Sequence, residues 1–111
     1  MKIRTESKGR YLVVTVLEER LGADRAVSFK ESLARLIDQG HGAFVFDLTA
    51  VTFIDSSGLG AILATAKRLG RSGEILIAGA SETVGTMFKL TRMDRIFPLF
   101  LTVEEALSAR V

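Results

Sequence analysis

The apolar residues of this chain fall into two rhythms, and the change from one to the other marks out the elements. Tyr11-Leu12-Val13-Val14-Thr15-Val16-Leu17 is dense in β-branched and aromatic residues between Lys8-Gly9-Arg10 and a charged segment, which predicts a buried strand. Lys2 to Ser7 predicts its hairpin partner, joined through Gly9-Arg10, and Glu18 to Gly22 predicts a loop. From Ala23-Asp24 to Gln39, Ala26, Phe29, Leu33, Leu36 and Ile37 recur at steps of three and four, so they share one face of a helix that Asp24 is expected to cap. Gly40-His41-Gly42 ends that helix, and Ala43-Phe44-Val45-Phe46-Asp47-Leu48 is continuous enough for a strand covered on both faces.

After an irregular approach over Thr49 to Phe53, the chain breaks into Phe53-Ile54-Asp55-Ser56-Ser57-Gly58-Leu59-Gly60 and then into a helix from about Ser57 to Leu69. Leu59, Ile62, Leu63, Ala66 and Leu69 form its apolar face. On the other face lie Ser57, Ala61, Ala64, Thr65 and Arg68, four of them small. Two readings of that face stand: a solvated face filled with good helix formers, or a low surface beside Ser57 that lets a partner approach closely. Gly70-Arg71-Ser72-Gly73 closes the helix, with Lys67, Arg68 and Arg71 complementing its dipole. Glu74 to Ala78 predicts another buried strand. Ser81 caps a helix to Leu90, with Val84, Met87 and Phe88 inward. Ile96-Phe97-Pro98-Leu99-Phe100 predicts a short edge strand, since proline removes a ladder donor. Thr102-Val103-Glu104-Glu105 is a capping box opening a last helix to about Arg110. The order β-β-α-β-α-β-α-β-α predicts one α/β domain over residues 1–111, a mixed central sheet with about four helices.

Composition changes this picture mainly by exclusion. With 111 residues, 48% hydrophobic and 25% charged, the chain suits a single domain with a real core. There is no cysteine, which removes disulfides and thiolate metal sites. The net charge of +2 is spread among acidic residues without a basic stripe, so direct nucleic-acid binding is not expected. Met1-Lys2-Ile3-Arg4-Thr5-Glu6 turns polar at once and predicts no signal peptide. No run approaches the roughly 18 apolar residues of a membrane span.

The junction at Asp55-Ser56-Ser57 has four candidate chemistries. A nucleotide cradle would need a third glycine where Leu63 stands, and no phosphate-loop motif occurs. A serine nucleophile would need a glycine two residues before it and a base after it, yet His41 is the only histidine and precedes it. Asp47 and Asp55 have no ligand cluster around them, so no metal is expected. A phosphoacceptor remains, because phosphate on Ser57 would add about −1.5 to −2 charges to a surface already holding Asp55. Beside it stands the plainer reading of a helix cap and tight turn.

The stretch from Phe53 to Gly60, with the strand Phe44 to Leu48 before it and the helix to Leu69 after it, resembles the signature of the anti-sigma factor antagonist family, whose fold is the STAS domain. The likeness extends to the strand Glu74 to Ala78 and the segment Val84 to Phe97. This resemblance implies a non-enzymatic cytoplasmic protein of a bacterial partner-switching circuit, a monomer when free. Its unmodified form would bind an anti-sigma factor that is also a serine kinase of the histidine-kinase-like ATPase class, releasing a client sigma factor. The kinase would phosphorylate Ser57 and so abolish binding, and a metal-dependent serine phosphatase would restore it. ATP and magnesium would belong to the kinase, leaving this chain with no cofactor. Asp55, Ser56, Gly58, Leu59, Gly60, Ala61 and Ala64 would shape the docking surface. Family members commonly carry Asp or Asn in the loop before the first helix, where this chain has Gly22; Asp24, two residues on, is the substitute within reach. The alternative is a STAS scaffold or accessory subunit of a larger signalling or transport assembly, without a phospho-switch.

Overall fold

Alternation along three strands decides the layering. In β2 (Tyr11–Val16), β4 (Ala43–Asp47) and β6 (Glu74–Ala78), successive side chains point to opposite faces of the sheet. Leu12, Val14, Phe44, Phe46, Ile75 and Ile77 enter one core, and Tyr11, Val13, Ala43, Val45, Leu76 and Ala78 the other. Both faces are covered, which is why these strands read as unbroken apolar runs. In this computed structural model, residues 1–109 are described; the expected end of the last helix at Arg110 falls outside them.

The main sheet has the order β1-β2-β4-β6-β7, with β1 spanning Ile3–Lys8 and β7 Leu99–Phe100. Only β1 runs antiparallel to its neighbour, through the two-residue Gly9-Arg10 turn, where Gly9 takes a φ of 63°. The other pairings, β2 with β4, β4 with β6 and β6 with β7, are parallel, so the sheet is mixed as expected. Pro98 precedes β7 at the sheet edge and lends only its carbonyl, to Ile77 at 3.0 Å. Residues Met93–Arg95 form a 3-10 turn ahead of that edge, so the strand is shorter than the run Ile96 to Phe100 suggested.

Helices α1 (Ala23–Asp38), α2 (Ser56–Leu69) and α3 (Glu82–Leu90) lie on the first face through Phe29, Leu33, Ile62, Val84 and Phe88. Helix α4 (Val103–Ala109) covers the second face through Val103, Ala106 and Leu107. Ser81 caps α3 by accepting from the Val84 N–H at 3.2 Å. The Thr102 hydroxyl accepts from the Glu105 N–H at 3.1 Å, the first half of the predicted capping box.

Two corrections fall beside the junction. The segment read as a loop contains a short strand, β3 (Arg20–Leu21), and the irregular approach ends in another, β5 (Phe53–Ile54). They pair in parallel as a separate ladder, Arg20 with Phe53 and Leu21 with Ile54. Asp24 does not cap α1: the cap is Gly22, with no side-chain hydrogen bond, and Asp24 lies in the first turn.

Candidate functional site

The β3-β5 ladder brings the start of α1 against the start of α2. The Thr52 and Phe53 N–H groups donate to the Glu19 carbonyl at 2.8 and 3.2 Å, and the Asp55 N–H donates to the Leu21 carbonyl at 3.4 Å. The Arg20 guanidinium lies 4.1 Å over the Phe53 ring and holds the two strands together from the solvent side. Helix α2 then begins so close to β3 that a Cβ on Gly58 would stand 2.1 Å from the Leu21 carbonyl oxygen. Glycine at 58 is therefore a packing requirement of the junction. At Gly22 a Cβ would lie 3.0 Å from Asp55 Oδ2, which puts the loop position singled out in the sequence directly beside the motif carboxylate.

Asp55 is the cap of α2. Its Oδ1 accepts from the N–H groups of Ser57 at 2.9 Å and Gly58 at 3.0 Å. This resolves what the two serines are for, in one respect: the aspartate does the capping, and neither hydroxyl is needed for it. The Ser57 side chain is half-buried and makes no hydrogen bond among the described residues, while Ser56 is exposed. The same bonds occupy two of the first-turn donors of α2 with a carboxylate.

Ser57 opens onto a hollow of about 140 Å³ between α1 and α2, lined by Ala26, Val27, Lys30, Ser57, Gly60 and Ala61. Val27 is 62% exposed, an apolar side chain left open to solvent at the rim. Neither Val27 nor Lys30 was singled out in the sequence; the signal available was an apolar residue on the flank of α1's inward stripe, one turn before a lysine. Lower down the same seam, a second hollow of about 300 Å³ runs past Lys30, Ala34, Ala64 and Arg68. A larger one of about 410 Å³ lies at the other end of α2, near Leu69 and Phe97, away from the serine.

The remaining sequence candidates divide. Gly60 is exposed, with nothing within 4 Å of a Cβ placed there, and Ala64 is half-buried on the seam. Leu59 and Ala61 are 3% and 4% exposed, and Thr65 3%. The small face of α2 is therefore neither a solvated face nor a bare partner surface: α1 packs on it, and alanine and threonine let the two helices approach. The Thr65 hydroxyl is satisfied within its own helix, donating to the Ala61 carbonyl at 2.8 Å. Asp24 points to Arg25, 3.9 Å away, and does not line the hollow at Ser57.

A profile of the STAS domain matches residues 2–106. The chain belongs to the STAS domain family. Among curated relatives of this STAS domain, anti-sigma-F factor antagonist RsfB of Mycobacterium tuberculosis is 29% identical over 83 residues, covering 75% of this chain and 68% of the relative. A solved anti-sigma factor antagonist from Mycobacterium paratuberculosis superposes with a TM-score of 0.87 at 27% identity, over 97% of this chain and 92% of the other. An anti-sigma-factor antagonist (STAS) domain protein from Planctomyces limnophilus shares the fold alone, with a TM-score of 0.88 at 20% identity over 98% and 97% of the two chains. Among the described residues of the STAS domain, no helix is long and apolar enough to cross a membrane. No group of three or more His, Asp or Glu side chains there is placed to hold a metal ion.

Proposed function

We propose that this STAS domain is an anti-sigma factor antagonist of a partner-switching circuit, controlled by phosphorylation of Ser57. The observation that carries the reading is the Ser57 hydroxyl: it stands at the start of α2, relieved of capping by Asp55 and bonded to nothing among the described residues. The relatives named as antagonists support the class of partner, an anti-sigma factor; on this reading that factor is also a serine kinase. ATP and magnesium come with that kinase. The Ser57 oxygen attacks the γ-phosphorus, the bond from that phosphorus to the bridging oxygen breaks, ADP leaves, and the hydroxyl proton passes to a base of the kinase. A metal-dependent phosphatase reverses the modification by hydrolysis.

The physical basis of the switch is charge at a fitted surface. Phosphate adds about −1.5 to −2 charges beside Asp55, and desolvating that pair under a docked partner costs several times the roughly 1.4 kcal/mol that separates one decade of affinity from the next. The fold itself loses nothing, since the Ser57 side chain holds no bond that modification breaks.

Incubation with the cognate kinase and ATP, followed by peptide mass spectrometry, is expected to find phosphate on Ser57. Ser57→Ala should bind the kinase whether or not ATP is present, and Ser57→Asp should bind at least tenfold more weakly. Stoichiometric phosphate elsewhere with none on Ser57 would sink the reading. A stable high-mass complex indifferent to Ser57→Asp would point instead to the scaffold role.

A further inference from the structure

Any negative group attached to Ser57 meets an awkward neighbourhood. The Ser57 and Gly58 N–H groups, which would otherwise face an anion at this helix start, are held by Asp55 Oδ1 at 2.9 and 3.0 Å. The nearest fixed charge on α2 is thus itself negative. Across the seam the situation is the reverse. Lys30 of α1 shares the walls of the 140 Å³ hollow with Ser57, and among the described residues it makes no ion pair within 4.0 Å. The hollow offers several times the space one water needs, and Gly60 and Ala61 leave its floor free of bulky side chains. The other charged groups on the seam are Glu31, on α1 below Lys30, and Arg68 on α2, which is already paired with Asp38 at 2.8 Å.

We propose that Lys30 is the counter-ion of the modified protein: a phosphoryl group on Ser57 folds into the α1-α2 hollow and pairs with the Lys30 ammonium. This rests on the reading of Ser57 as a phosphoacceptor. It adds a second effect to modification, because the lysine at the rim of the surface is captured at the moment the phosphate appears. One event then alters two features that a docking partner meets, a hydroxyl that becomes an anion and a free cation that is drawn inward. Lysine is suited to such a capture, since its four-carbon stem lets the ammonium swing between solvent and hollow and its three donors need no fixed plane of approach.

The test uses the full chain with phosphoserine incorporated at position 57 during translation, so that no kinase is required. The phosphate's titration between its singly and doubly charged forms, ordinarily near pH 6, is followed by phosphorus NMR at low salt. A cation at contact distance favours the dianion and lowers the midpoint, so Lys30→Met should raise it by about half a pH unit. Lys30→Arg should leave it low, Lys67→Met, far along α2, should leave it unmoved, and the Lys30 effect should shrink as salt rises. The same midpoint in the wild-type and Lys30→Met phosphoproteins would overturn the proposal, as would an equal response to Lys67→Met. Neither result bears on whether a kinase modifies Ser57, so this proposal and the functional reading fail separately.

Discussion

Gly58 and Gly60, two positions apart on α2, have opposite reasons to be glycine. At 58 an added Cβ meets the Leu21 carbonyl oxygen at 2.1 Å and Ile54 at 2.9 Å, and neither the backbone nor the buried isoleucine can give way. Gly58→Ala should cost about 1–3 kcal/mol in denaturant unfolding, the usual range for forcing atoms into a packed site. At 60 the space is open and the helix backbone ordinary, so Gly60→Ala should raise stability by about 0.5–1 kcal/mol. If the hollow beside Ser57 is a docking surface, that more stable variant should nevertheless bind its partner less well, because the new methyl stands on its floor. Unfolding curves and kinase affinity measured on the same two proteins check both halves.

At the scale of elements, α1 against α2 is the contact that most changes the meaning of the sequence. A helical wheel shows that Ala61, Ala64 and Thr65 share a face and that the face is small; it is silent on what covers it. Ala61→Leu should therefore destabilise by about 1–3 kcal/mol through overpacking against α1, and thermal unfolding would show it; a solvated face would have tolerated the change. The long elements were legible because their apolar periods persist for five residues or more: β2, β4, β6, α1, α2 and α3 all fall, to within a residue or so, where the period places them. The ladder of β3 with β5 was not, because strands of two residues contain no period at all. Asp24 misled for a related reason. It is a good capping residue two positions too late, and the chain enters α1 from the ladder with Gly22 at the cap, beside the Asp55 carboxylate. Ser56 and Ser57 were legible as candidates from their place between strand and helix, and the family resemblance selected Ser57; Lys30 was not legible, since its relevance arises only when two helices distant in the sequence meet.

For the whole molecule, the arrangement separates the two supporting cores from the candidate site. Three helices cover one face of the sheet and α4 the other, and the serine stands at the outer end of one of them, so modifying it leaves both cores untouched. Ser57→Asp should accordingly melt within a few degrees of the wild type, a shift that corresponds to about 1 kcal/mol or less for a domain of this size. Calorimetry on the two proteins checks this, and a large loss of stability would mean that the variant's failure to bind reports unfolding instead of repulsion.

The near-contact of Gly58 with the Leu21 carbonyl also limits how such a site can carry information. With a helix end packed this tightly against a strand, a group added to Ser57 would change what the surface says to a visitor through charge and the side chains around it, with no shift of the helix required. On the proposed reading, the memory of the last phosphorylation would be written in charge, be legible only to a molecule that touches it, and be erased by removing one group.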